Sequence, residues 1–170
     1  MRNILTAALA LFVLTATIAC KPAIAVSRAV EIESISAAWS QFPGDNNTHT
    51  GSTKVVPWIA FRLKNVTNER LVSLQANAVF HRAGEDGEWG SAFATVAGTQ
   101  GLAPGHNSND VILMSQLGYT GTESAAELLE NSAFVDVSVD IYVKYAAAQW
   151  TRVAQVPIAR RLVWDINKRN

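Results

Sequence analysis

The chain has almost no cysteine, and this limits the chemistry open to it. Its 170 residues include one cysteine, Cys20, and none follows that position. The part of the chain after Cys20 therefore has no disulfide framework, no thiolate metal site and no cysteine nucleophile. The sequence also lacks G-x-S-x-G, H-E-x-x-H and C-x-x-C motifs and a phosphate-binding glycine loop. It predicts no catalytic, cofactor-binding or metal-binding residue.

Charge is also sparse and balanced. Charged residues make up 16% of the chain, and 14 basic residues offset 14 acidic ones. Nucleic-acid binding requires a basic surface, so no nucleic-acid partner is expected. Hydrophobic residues make up 49%, which is enough to bury a core.

An uncharged, largely apolar run, "ILTAALALFVLTATIA", occupies residues 4–19. It is shorter than the roughly 20 residues of a membrane-spanning helix and fits the core of a secretory signal peptide, which we predict at residues 1–19. Two cleavage sites follow it. "TIAC" resembles a bacterial lipobox, and that resemblance implies that Cys20 is acylated and anchors the protein to a membrane. The alternative, Ala23-Ile24-Ala25, is an ordinary signal peptidase site, and a cut after Ala25 gives a soluble protein.

Both cuts predict export. As a lipoprotein the chain belongs on the periplasmic side of the outer membrane or on the cell surface, because Lys21 after the cysteine resembles outer-membrane sorting. After the alternative cut it is periplasmic or secreted. Residues 20–27 then form a short tether, residues 28–165 one domain, and residues 166–170 a tail.

Period-two alternation dominates the domain and is strongest in "FVDVSVDIYVKY", residues 134–145. About seven short strands are separated by turn signals, and one short helix of about two turns is predicted within residues 118–132, capped by Thr120 or Thr122. A slip in the alternation near Ser34 predicts a bulge, and Pro157 predicts either an edge position or a bulge. The pattern predicts an all-β, Ig-like or transthyretin-like antiparallel β-sandwich.

Two stretches, "IAFRLKNVTNERLVSLQANAVF" (59–80) and "LAPG" (102–105), resemble the FxLYD-type and related Ig-like domains of bacterial envelope lipoproteins. These domains place an Asn-containing turn between two core strands and an L-x-P-G loop before a later strand. The resemblance implies an accessory, binding or assembly role at the cell envelope and no catalytic residues.

The candidate functional residues are few. Trp58, Trp89 and Trp150 lie on a predicted outer strand face or beside turns, so they are candidates for a surface that binds an envelope protein or a glycan, although core packing also accounts for them. We therefore expect a non-enzymatic, lipid-anchored binding or assembly module. The alternatives are a secretion-machine accessory lipoprotein and a soluble secreted hydrolase that uses His49, His106 and Asp110.

Overall fold

The computed structural model describes residues 25–42 and 51–163. The predicted signal peptide, Cys20 and His49 lie outside these ranges. Within them the chain forms eight strands and two short helices, and neither helix is long and apolar enough to cross a bilayer. In chain order the elements are α1 (Val26–Ala29), β1 (Val30–Gln41), β2 (Thr53–Asn65), β3 (Leu74–Arg82), β4 (Gly90–Ala97), β5 (Val111–Met114), β6 (Tyr119–Gly121), α2 (Ala125–Glu130), β7 (Val137–Tyr145) and β8 (Thr151–Pro157).

The strands form two antiparallel sheets packed face to face. The first sheet has the order β1-β2-β5, with β6 also paired to β2, and the second has the order β4-β3-β7-β8. The predicted all-β sandwich is confirmed, with eight strands where about seven were expected. Pro157 ends β8, which is an edge strand, as predicted for a residue without a backbone donor.

The core fills the space between the sheets and is built by alternate residues of the long strands. Each fully buried aliphatic or aromatic side chain contributes about 1.5–3 kcal/mol relative to exposure. The central strands β2, β3 and β7 supply most of it, with side chains that are essentially inaccessible to solvent: Ile59, Phe61, Leu63, Leu74, Ala76, Ala78, Phe80, Val139, Ile141 and Val143.

The predicted bulge and the predicted short helix are both present, but the helix has a different N-terminal cap. The β1–β2 register shifts between Glu33 and Ser36, and Ser34 adopts a φ of 57°. Residues 119–121, expected within the helix, pair instead with β2. The helix begins after Ser124, whose hydroxyl accepts a hydrogen bond from the Glu127 N–H at 3.3 Å. The predicted caps at Thr120 and Thr122 are therefore wrong, because a Ser124–Glu127 capping box occupies that role.

A buried asparagine joins the turn after β2 to the loop at residues 102–105. The side-chain amide of Asn65, at the end of β2, donates to the carbonyl oxygens of Glu69 (2.7 Å) and Leu102 (2.9 Å). Its Oδ1 accepts the Thr67 N–H at 2.9 Å. Asn65 is fully buried, so these bonds fix the turn after β2 against the loop at residues 102–105.

Candidate functional site

Trp58 lies on the outer face of the first sheet, as predicted, but it is not part of an accessible surface. Its side chain is 1% exposed and packs with Ala38, Ala60, Met114 and Val163. The chain after β8 covers it, since the Val163 N–H donates to the Trp39 carbonyl at 2.8 Å. The expectation that Trp58 contributes to a partner surface is therefore wrong.

Trp89 belongs to an aromatic cluster at one end of the sandwich. Its ring lies 6.4 Å from that of Trp39 and 5.5 Å from that of Tyr119. Phe134 completes the cluster, 4.8 Å from Trp39. Trp89 is half-buried against the core, so it corresponds to the core-packing interpretation of the tryptophans.

Two arginines close this end of the sandwich. Arg82 donates to the Tyr119 hydroxyl at 3.0 Å, and Arg160 stacks over the Phe134 ring at 5.0 Å. The Arg160 guanidinium also donates to Asp136 at 2.6 Å, and this hydrogen bond holds the pKa of the Asp136 carboxyl below its usual range. Both arginines are thus occupied by neighbouring groups of the same chain.

Trp150, in contrast, is exposed beside a second aromatic side chain. It is 39% exposed, and Phe93 of β4 is 56% exposed. The two rings meet edge to face, with centroids 6.1 Å apart and planes at 83°. Two adjacent large aromatic side chains that remain in contact with water mark a binding surface more often than an isolated one does.

Strand register shows where this pair lies. Phe93 pairs with Asn77 of β3, whose neighbours Ala76 and Ala78 face the core, so Phe93 points outward. Trp150 precedes Thr151, the partner of the buried Val143, and therefore also points outward. Strands β4 and β8 are the two edges of the sheet, about 14 Å apart over three strand spacings. The rings can meet only by leaning inward over β3 and β7.

Polar side chains surround the two rings. Gln75 and Asn77 of β3 are opposite Lys144 and Tyr142 of β7. Among the described residues, the two amides and the Lys144 ammonium have no hydrogen-bond or ion-pair partner. We use the name aromatic face for the outward side chains of Phe93, Trp150, Gln75, Asn77, Tyr142 and Lys144.

A buried carboxylate lies on the same side of the sheet, next to the aromatic face. The alternation of residues 134–145 puts Asp140 of β7 in the polar phase and predicts a solvated side chain, but this side chain is only 7% exposed. Its Oδ2 lies 3.2 Å from Arg152 Nη1 and 3.7 Å from His81 Nε2. The His81 Nδ1–H donates to the Gly87 carbonyl at 2.8 Å, since a carbonyl can only accept. The expectation for Asp140 is wrong because the side chains of its strand neighbours cover it.

Two residues of the alternative hydrolase hypothesis, His106 and Asp110, lie in the described part of the chain, and each contacts a different group. The Nδ1 of His106 lies 2.9 Å from the Pro104 carbonyl oxygen. Asp110 accepts a hydrogen bond of 2.7 Å from Arg62 Nε. Across residues 25–42 and 51–163, no group of three or more His, Cys, Asp and Glu side chains is placed to hold a metal ion.

Comparison with known proteins gives no family. No family model matches the chain, and no curated protein matches it. Among solved structures, the chain is similar to that of an ApaA protein from Bordetella pertussis, with 12% sequence identity over 78% of this chain and 91% of that one. The TM-score is 0.35, too low to carry an argument.

The sequence identified Trp150 but not its partner Phe93. In "SAFATV" the alternation places Phe93 with Ser91 and Thr95, while Ala92, Ala94 and Val96 pack against the core. A large aromatic residue among the polar positions of a strand is the sequence signal that could have indicated an exposed ring at Phe93. The pairing with Trp150 was not predictable, because it depends on which strands form the edges of the sheet.

Proposed function

We propose that this protein is an exported, lipid-anchored, non-enzymatic module of the cell envelope that binds a glycan through its aromatic face. The observation that carries this proposal is the exposed Phe93–Trp150 pair. The resemblance of residues 59–80 to envelope lipoprotein domains supports the same cellular setting.

The chemistry of the aromatic face suits a sugar chain. The carbon-bound hydrogens on one side of a pyranose ring are apolar and pack on aromatic rings, whose faces carry negative charge. Sugar hydroxyls both donate and accept hydrogen bonds, and so do the free amides of Gln75 and Asn77. These side chains project from paired strands of a four-stranded sheet, so little backbone order is lost when a ligand binds.

Polysaccharide retention tests the proposal. The mature domain is assayed by affinity electrophoresis in gels that contain each of a panel of neutral and acidic polysaccharides. We expect retention by at least one, and about tenfold weaker binding in Trp150→Ala and Phe93→Ala, since each removes one stacking surface. Ile112→Ala is the control, because Ile112 is exposed on the other sheet and pairs with Ala60.

Three results would contradict the proposal. The first is an electrophoretic mobility of the mature domain that none of the polysaccharides changes. The second is an equal loss of retention in Ile112→Ala. The third is capture of an envelope protein that depends on Trp150 while no polysaccharide binds, which would assign the aromatic face to a protein partner.

The anchor is tested separately. Labelling cells with a palmitate analogue should mark the wild-type protein and leave Cys20→Ala unmarked, since a thioether-linked lipid requires the thiol. An unlabelled wild-type protein would favour cleavage after Ala25 and a soluble product.

A further inference from the structure

We infer that the glycan bound at the aromatic face carries carboxylate groups and that Lys144 recognises them beside the Trp150 ring. This inference rests on the proposed function and specifies its ligand class. It derives from the distribution of charge over the outer side of the second sheet.

Lys144 is an available cation within the aromatic face. Its Nζ lies 5.9 Å from the centre of the Trp150 ring, and no carboxylate of the described residues pairs with it. Register places Lys144 opposite Gln75, in the row next to Asn77 and Tyr142. A sugar stacked on Trp150 therefore brings its substituents within reach of an ammonium group and an amide.

Among the strand residues that the structure describes in the second sheet, no exposed acidic residue lies on the same side as Lys144. All four strands are fully described, and the outward positions of β3 and β4 carry no carboxylate. On β7 the outward carboxylate is Asp140, which is buried and paired with Arg152. The Arg152 side chain remains 56% exposed, so its positive end contacts water while its counter-ion is covered. The surface that a ligand meets is positive.

This charge pattern favours an acidic glycan over a neutral one. A hydroxyl of a neutral sugar can accept a hydrogen bond from the unpaired ammonium, but a sugar carboxylate forms a stronger one because both partners are charged. At an exposed site one such contact is worth up to about fivefold in affinity, and we expect about threefold. The aromatic rings can stack on either an acidic or a neutral sugar. The charge of Lys144 therefore changes the preference between the two sugars and not the ability to bind a sugar.

Oligogalacturonate and its methyl ester provide matched probes, because esterification removes the charge and leaves the sugar backbone in place. Binding of both to the mature domain is measured by isothermal titration calorimetry at low and at high salt. We expect the wild type to bind the acid about threefold more tightly than the ester at low salt, with a smaller preference at high salt. Lys144→Gln should bind the two equally, and Trp150→Ala should weaken both.

Lys54→Gln is the matched control. Lys54 also lies over an aromatic ring, 4.4 Å from the centre of Phe42, but on the first sheet. It should keep the wild-type preference for the acid.

The outcomes separate the two proposals. Equal wild-type affinity for acid and ester, with both lost in Trp150→Ala, overturns the acidic-glycan inference and leaves the glycan-binding function standing. A preference for the acid that survives in Lys144→Gln overturns the role of Lys144. If neither probe binds, the inference fails, and the polysaccharide panel decides separately whether glycan binding fails with it.

Discussion

Asn65 is the residue whose replacement tests the fold most directly. It is fully buried at the end of β2, and four hydrogen bonds connect its amide to Glu69, Leu102 and Thr67, whose N–H and hydroxyl both donate to it. Asn65→Ala removes all four at once. The two loops that it joins would then be held together by backbone contacts, such as the Gly105 N–H donating to the Asn65 carbonyl at 2.8 Å, and by the burial of Leu71 and Leu102 in the core.

The magnitude follows from what each former partner retains. A net hydrogen bond is worth about 0.5–1.5 kcal/mol, and an orphaned buried group costs about 1–3. The Leu102 carbonyl still accepts from the Leu71 N–H at 3.0 Å, and the Glu69 carbonyl still lies 2.9 Å from the Thr67 hydroxyl. The Thr67 N–H loses its side-chain acceptor. We therefore expect Asn65→Ala to lower the free energy of unfolding by about 2–4 kcal/mol.

Urea denaturation followed by tryptophan fluorescence measures this loss, which corresponds to a midpoint about 1–2 M lower. Asn68→Ala is the control. Asn68 lies in the same turn but is exposed, so its replacement should change stability by less than about 0.5 kcal/mol. Equal midpoints for Asn65→Ala and Asn68→Ala would refute the reasoning.

Asn65→Asp adds a pH signature that a simple loss of packing would not give. One carboxylate oxygen would replace the donor that faces the Glu69 and Leu102 carbonyls, so burial and these acceptors raise the pKa of the new Asp above its unfolded value of about 3.9. The folded state then binds the proton more tightly than the unfolded state. The variant should be most stable near pH 4 and lose stability toward pH 7, while Asn65→Ala shows no such dependence relative to wild type.

Three further substitutions test particular contacts. Gly118→Ala would place a Cβ on a backbone carbonyl oxygen of β2 and should cost at least about 2 kcal/mol in a thermal melt, whereas Gly98→Ala, with open space around it, should be nearly neutral. Ser124→Ala should cost about 1 kcal/mol at pH 7. The hydrogen bond between Ser124 and Glu127 lowers the pKa of Glu127, so the cost of Ser124→Ala should become smaller as the pH falls through that lowered pKa and Glu127 protonates in the wild type. Trp58→Ala should cost about 3–5 kcal/mol and leave polysaccharide retention of the folded protein intact.

Much of the fold was predictable because period-two alternation is strong where one face of a strand is buried. Residues 134–145 show this most clearly, since β7 occupies Val137–Tyr145 with its valines in the core. The slip at Ser34 also corresponded to a real bulge. The prediction of where the helix begins was wrong. Residues Tyr119–Gly121 form backbone hydrogen bonds with β2, and local sequence propensity does not report such a long-range contact.

The site was less predictable, because exposure depends on what covers a face and not on the face itself. The sequence predicted Trp58 on an outer strand face and Trp150 beside a turn, which made both candidates for a partner surface. Only the folded chain shows that Val163 and Met114 cover Trp58. Asp140 shows that the burial of a polar residue is equally hard to predict. Its outward position in the strand gave no sign that Arg152 and His81 pack around it.

The difference between the outer faces of the two sheets is the strongest structural argument for a binding role. On the first sheet, the segment after β8 lies against β1 through a parallel bridge between Trp39 and Leu162 and helps to bury Trp58. On the second sheet, Trp150 and Phe93 lean toward each other over the central strands and remain exposed. Covering an aromatic side chain of this size would recover about 1.5–3 kcal/mol. The same chain achieves this for Trp58, so the open state of the second face is a specific feature of the fold, and a bound glycan would supply the missing cover.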